Sequence, residues 1–136
     1  MTTPSTTLRE LADERFVSLT TFRRTGEGVA TPVWLVPDGA EGLAVWTPAG
    51  SGKVKRLRRD GRVTLRPCDR RGRVAEGAPT VEARASVSDD PTRVADVERR
   101  LRERYRWEFR VFGLVERIAR RGREPERVAL AIVPAA

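Results

Sequence analysis

Apolar and polar residues alternate through Thr80–Val87 (TVEARASV), which places Val81, Ala83, Ala85 and Val87 on one face and predicts a strand. Phe16–Phe22 (FVSLTTF) is rich in β-branched and aromatic residues and predicts another. Val29–Val36 (VATPVWLV) follows across the polar turn Arg23–Gly28. It contains Pro32, which cannot donate to a ladder, so the strand is expected at a sheet edge or a bulge. PDGAEG (Pro37–Gly42) is a turn signal, and Leu43–Thr47 completes a meander. Val63–Cys68 and Arg127–Val133 read as further strands. Asp69–Arg73 reads as a turn, and Glu76–Pro79 as irregular chain.

Helical periodicity appears in three places. Ser5–Glu14 predicts a short helix, with Ser5 or Thr6 as N-cap. Lys53–Arg59 predicts another, closed by Asp60-Gly61. Pro91–Arg121 is the longest, with Asp89 or Asp90 as cap and Pro91 at the first helical position. Val94, Val97, Leu101, Tyr105, Phe109, Phe112, Val115 and Ile118 recur at steps of three and four and form one apolar stripe, with Gly113 as the point where it divides. About six strands joined by short turns, without βαβ alternation, predict a mainly β, mostly antiparallel sheet with peripheral helices, which tends to close into a barrel. The 136 residues suit a single domain, 1–136.

Charge changes this picture only in part. The chain carries +8, and of its 27 basic residues only Lys53 and Lys55 are lysines, leaving 25 arginines. Such arginine usage accords with a GC-rich genome and solvated basic faces; the sharper reading is an anionic partner. Histidine is absent, which removes the usual Ser-His-Asp and Cys-His arrangements and the commonest zinc ligand. No metal site is expected, and a catalytic residue is not assignable from the residues. Any enzymatic chemistry is then expected to come from a bound cofactor. Cys68 is the only cysteine and reads as a small buried residue. No apolar run approaches the ~18 residues of a membrane span. The start, MTTPSTTLREL, lacks a signal-peptide pattern, so a cytoplasmic, membrane-free protein is expected.

The segment GSGK (Gly50–Lys53) fails the Walker A pattern: Thr47 stands where the first glycine belongs, and Val54 follows the lysine. The segment still combines a glycine-rich loop, a helix start and a cluster of cations that includes both lysines, the ingredients of an anion cradle. A solvated basic helix after a turn explains the same residues equally well. Trp34 and Trp46 lie on neighbouring predicted strands and read as core or dimer contacts before base-stacking platforms. Glu98 with Arg102, and Arg99 with Glu103, read as i,i+4 pairs on a solvated face. The apolar segment from Trp107 to Phe112 can also meet a partner subunit.

Taken together, FVSLTTFRRTGEGVATPVWLV and LAVWTPAGSGKVKRLRRDGRVTLRPCDRRGRV resemble the pyridoxamine 5'-phosphate oxidase-like family, and within it the actinobacterial group of F420-dependent enzymes. The resemblance covers Leu8 to Val87. It implies an FMN-binding type of split β-barrel and a homodimer with a cofactor cleft at the subunit interface. By the same resemblance, Thr31, Pro32, Val33 and Trp34 lie beside the cofactor ring, and Thr47 ends the third strand. Ser51, Gly52 and Lys53 grip the cofactor phosphate, with Lys53 as the main cation. Pro67 and Cys68 line the cleft from the fourth strand. Some members carry a basic residue where this chain has Ser51, which leaves FMN open beside coenzyme F420. The implied activity is hydride transfer between F420 and a small organic acceptor. The alternatives are a non-catalytic FMN or F420 carrier or sensor and a basic nucleic-acid-binding protein, the last the less expected.

Overall fold

The computed structural model describes residues 7–119 and 126–135. The first helical prediction is corrected to a 3₁₀ turn, Arg9–Asp13; its candidate caps Ser5 and Thr6 lie outside the described residues. Thr7 Oγ1 instead accepts from the Glu10 N–H at 3.2 Å. Seven strands follow: β1 (Phe16–Phe22), β2 (Gly28–Val33), β3 (Val36–Asp38), β4 (Gly42–Pro48), β5 (Arg62–Cys68), β6 (Val81–Ser88) and β7 (Arg127–Pro134). Two helices accompany them, α1 (Gly52–Arg59) between β4 and β5, and α2 (Pro91–Ala119) between β6 and β7. The strands form one antiparallel sheet in the order β2-β1-β5-β6-β7-β4-β3, curled into the expected split barrel. No described helix is long and apolar enough to cross a membrane.

Pro32 sits, as its missing N–H requires, in the edge strand β2, opposite Ser18. Val29–Val36 is not one strand, however. β2 leaves β1 after Val33, and the chain restarts at Val36 against β4, so Pro37 and Asp38 belong to β3 rather than to a turn. This crossover needs partners for the backbone of Leu35, a residue with no accessible surface. The Tyr105 hydroxyl provides them. It accepts from the Leu35 N–H at 3.2 Å and lies 3.1 Å from the Leu35 carbonyl and 2.8 Å from that of Arg15. Gly42 closes the β3–β4 turn, where any Cβ would meet the carbonyl oxygens of Asp38 and Ile132 at 2.8 Å.

Strand alternation builds two cores. Leu43, Val45, Leu130 and Ile132 point inside the curl and meet Val17, Leu19, Val63 and Leu65. Ala44, Trp46 and Ala129 point outward and pack under α2 through Val97, Leu101, Tyr105 and Phe109. Asp90 caps α2, its carboxylate accepting from the Thr92 N–H at 3.0 Å. The expected pairs Glu98–Arg102 and Arg99–Glu103 form at 3.0 and 3.2 Å. The helix breaks at Arg106 (φ 30°, ψ −97°), not at Gly113. The break lies beside Tyr105, the residue tied to Leu35 and Arg15. Beyond it the stripe stays buried only as far as Phe109; Phe112, Val115 and Ile118 are exposed.

Asp38 fixes the first half of α2 to the sheet. Arg93 donates to both of its carboxylate oxygens, at 3.1 and 2.5 Å, and Arg100 adds a third contact at 3.3 Å. The Arg93 hydrogen bond leads in holding the Asp38 carboxyl below its ordinary value, against the opposing effect of burial. Asp38→Asn is therefore expected to lower stability by about 2 kcal/mol near neutral pH. Because the folded-state pKa is depressed, this contribution is complete above the unfolded carboxylate value of ~3.9 and fades as pH falls through the folded one. Urea melts of both proteins should differ at pH 7 and converge in acid.

Candidate functional site

A cavity of about 830 Å³ opens between the end of β2, the end of β4, the start of α1 and the second half of α2. Its floor is aromatic. Trp34 stacks on Tyr105 (5.2 Å between centroids, 20° between planes) and meets Phe112 edge-on at 5.2 Å. Phe109 touches both Trp34 and Trp46, at 5.7 and 5.4 Å. Both tryptophans are thus core contacts, as read from the sequence, and also the wall of a cleft. The Trp46 indole N–H and the Thr31 hydroxyl are buried without a hydrogen-bond partner, and of the two residues Trp46 lines the cavity.

The polar groups sit around this floor. Lys53 enters from the first turn of α1. It is half-buried, and burial first, then the neighbouring Arg56 guanidinium, pulls its ammonium below the usual lysine value. No described carboxylate pairs with it. Arg127 opens β7 opposite Pro48, its guanidinium 3.9 Å from the Trp46 ring centroid. Arg70 and Arg15 complete the basic rim, and Arg15 pairs with Glu108, the one carboxylate of the lining. A cavity with an apolar floor, several cations and one already paired anion suits a planar aromatic ligand that carries negative charge.

Of the residues implied for the site, Pro32, Val33, Trp34, Thr47 and Lys53 line this cavity together. The other five, Thr31, Ser51, Gly52, Pro67 and Cys68, are not among its lining residues. Thr31 precedes Pro32 on β2. Ser51 is the N-cap of α1, its hydroxyl accepting from the Val54 N–H at 3.4 Å, and Gly52 is the helix's first residue. Pro67 and Cys68 pair with Val17 and Phe16 of β1, and of these four only Phe16 reaches the cavity. The Cys68 thiol is pushed up by burial and then by Asp69 and Glu14, which makes it a poor nucleophile.

Sequence reasoning missed Arg15, Arg70, Glu108 and Arg127 as site residues. No local signal marks them. Arg15 and Glu108 meet across 93 positions, and Arg127 reaches the cavity only through the β4–β7 register. Trp107, Val111 and Phe112 were noted for their apolar bulk, and they form the outer wall.

A search of curated proteins returns no match to the chain. Among solved structures, a conserved hypothetical protein from Mycobacterium tuberculosis superposes with TM-score 0.65 at 22% identity, over 93% of this chain and 76% of that one. A protein described as an F420 reductase superposes with TM-score 0.58 at 20% identity, over 98% and 97% of the two chains. The heme storage protein HutZ from Vibrio cholerae gives 0.64 at 16%, over 91% and 84%. At these identities the likeness establishes the fold. The sequence profile described as pyridoxamine 5'-phosphate oxidase matches residues 5–136, nearly the whole chain, and on that match the protein belongs to the pyridoxamine 5'-phosphate oxidase family.

Proposed function

We propose that this protein is an oxidoreductase that binds a phosphorylated flavin or deazaflavin in the 830 Å³ cleft, coenzyme F420 in preference to FMN, and reduces a small organic acceptor. One observation carries the reading: Lys53, a half-buried cation without a carboxylate, stands at the polar end of a cavity floored by tryptophan. The fit is chemical as well as steric. Trp34 and Trp46 offer flat apolar surface, the Trp46 indole N–H offers unused hydrogen-bonding capacity, and Lys53 meets a phosphate. The preference for F420 draws on the resemblance and on the end-to-end match to a protein so described. It also draws on Arg70 and Arg127 at the rim, which suit an acidic tail.

Such a cofactor, when reduced, supplies a hydride. The protein's own residues bind, orient and exclude water. Lys53 fixes one end, Trp34, Trp46 and Phe112 keep the floor dry, and Glu108 is engaged by Arg15 in an ion pair. The acceptor is then one whose reduction is completed by a proton from solvent. Heme is the less suited ligand, since the chain has no histidine to offer its iron.

The second half of α2 supports a homodimer. Trp107, Leu114, Val115 and Ile118 are 75%, 59%, 59% and 70% exposed, a concentration of large apolar side chains in water that suits a partner surface. Trp107 also walls the cavity, so a second copy on this face would complete the cleft. Leu114→Asp combined with Ile118→Asp is expected to convert a dimer to a monomer by light scattering and to weaken cofactor binding. A wild-type monomer that binds cofactor fully would refute the shared cleft.

The test of function is fluorescence titration with F420 and, separately, FMN, followed by an acceptor screen with the reduced cofactor. Tighter binding of F420 with turnover supports the proposal. Preference for FMN retains the site and changes the cofactor. Binding without turnover of any acceptor identifies a carrier, and binding of neither, with nucleic acid retained instead, overturns the reading.

A further inference from the structure

Arg56 occupies an unusual place. Its Nε donates to the Thr21 hydroxyl at 2.6 Å, and Thr21 is only 1% exposed, so the acceptor is fixed in the barrel wall. The guanidinium then folds back along α1. A Cβ on Gly52 would stand 2.8 Å from Arg56 Nη1 and 3.6 Å from Cζ. The arginine thus fills the space that a side chain at position 52 would take, and glycine at the first helical position, otherwise a weak helix former, leaves that space open.

Next to it stands Lys53, which lines the cavity. The two side chains are half-buried, and neither pairs with any carboxylate among the described residues. By contrast, the half-buried Arg93 and Arg100 share Asp38. Ser51 Oγ takes the Val54 N–H. The N–H groups of Gly52 and Lys53, first-turn donors without an intrahelical acceptor, remain unspent. Two adjacent cations held together without an anion form an arrangement that costs free energy until an anion arrives.

We propose that Arg56, held over Gly52 by Thr21, is the second cation of the phosphate site and grips the cofactor phosphate jointly with Lys53. This rests on the flavin or deazaflavin reading above. The division of labour follows from the side chains. Lysine offers a point charge at the cavity edge, while the guanidinium, with Nε spent on Thr21, keeps both terminal nitrogens to fork onto two phosphate oxygens. Ser51 is spent on capping the helix, so the second charge at the helix start comes from Arg56. Thr21 is a positioning residue: it sets where the fork points and touches no ligand.

The test compares chromophores with and without the phosphate: FMN against riboflavin, which differ in that group alone, and F420 against its phosphate-free deazaflavin core, which lacks the acidic tail as well. Arg56→Gln is expected to weaken the phosphate-bearing member of the bound pair by about tenfold and leave the phosphate-free member within about twofold. Arg56→Lys keeps the charge without the fork and should lose a part of that affinity. Thr21→Val keeps the arginine and frees its orientation, with an expected loss of about threefold, again confined to the phosphate-bearing member. Gly52→Ala should act in the same direction by displacing the guanidinium. Inorganic phosphate should compete less well for Arg56→Gln than for wild type, a readout that needs no chromophore affinity to spare. Thermal melts identify any variant that fails to fold, and Arg56→Lys and Thr21→Val then carry the comparison. Equal losses for both members of a pair would make Arg56 merely structural and overturn the proposal. Unchanged FMN or F420 affinity in Arg56→Gln, beside a loss in Lys53→Ala, would overturn it while leaving the cofactor reading intact. A wild type that binds none of the four chromophores would remove the cofactor reading itself, and this proposal with it.

Discussion

Replacing Tyr105 with alanine is expected to destabilise the protein by about 4 kcal/mol, the largest single loss available from its aromatic cluster. The side chain is 2% exposed and performs three tasks at once. Its ring stacks on Trp34 at 5.2 Å. Its hydroxyl accepts from the Leu35 N–H at the point where the chain leaves β2 for β3, and reaches the Arg15 carbonyl where β1 begins. Its backbone adjoins the break in α2. Alanine leaves a cavity under Trp34 and strands the Leu35 N–H in a buried position, so the transfer and hydrogen-bond losses add. Tyr105→Phe isolates the second of these and should cost about 2 kcal/mol. Urea denaturation of the three proteins gives both numbers. The site should feel the change as well, because Trp34 is the cavity floor and Tyr105 is its backing. A Tyr105→Ala protein with near wild-type stability would mean that β2, β3 and α2 are held together by something else.

The second large effect belongs to binding. Lys53→Ala is expected to weaken F420 or FMN at least about tenfold, about 1.4 kcal/mol. The argument is electrostatic. Burial and Arg56 lower the Lys53 pKa, which marks a cation in a poorly solvated place beside a like charge. A phosphate relieves both penalties, so its contact with Lys53 is stronger than an exposed ion pair of the same length. The sign for pH follows directly. Only the ammonium form attracts the phosphate, so affinity should fall as pH rises, starting below the ordinary lysine range. In Lys53→Ala that alkaline dependence should be lost. Isothermal titration across alkaline pH values, on both proteins, measures the effect. An alanine variant with unchanged affinity would place the phosphate elsewhere.

What the sequence disclosed, and what it concealed, divides by range. The strand pattern was local: alternation in TVEARASV appears unchanged in β6, and the proline in VATPVWLV correctly announced an edge. The candidate anion cradle is local as well, with Ser51, Gly52 and Lys53 contiguous at the start of α1, and of these Lys53 lines the cavity. The split of Val29–Val36 into two strands was not, because it depends on Leu35 meeting a tyrosine 70 positions away. Periodicity placed Tyr105 on the buried stripe but carried no word of its hydroxyl, and glycine drew the expected break to Gly113, whereas it falls at Arg106, next to the tethered Tyr105. The rim arginines escaped notice among 25 of their kind. Arg56 shows the limit most clearly. Its charge was visible beside Lys53, whereas its direction is set by Thr21 on another strand and by the missing side chain of Gly52.

A crystal structure of the protein soaked with F420 or FMN tests the proposed cofactor site most directly. The expected result is ring density on the tryptophan floor between β2 and α2, with the phosphate against Lys53. Density confined to another surface, or a cleft that stays empty under saturating cofactor, would contradict it.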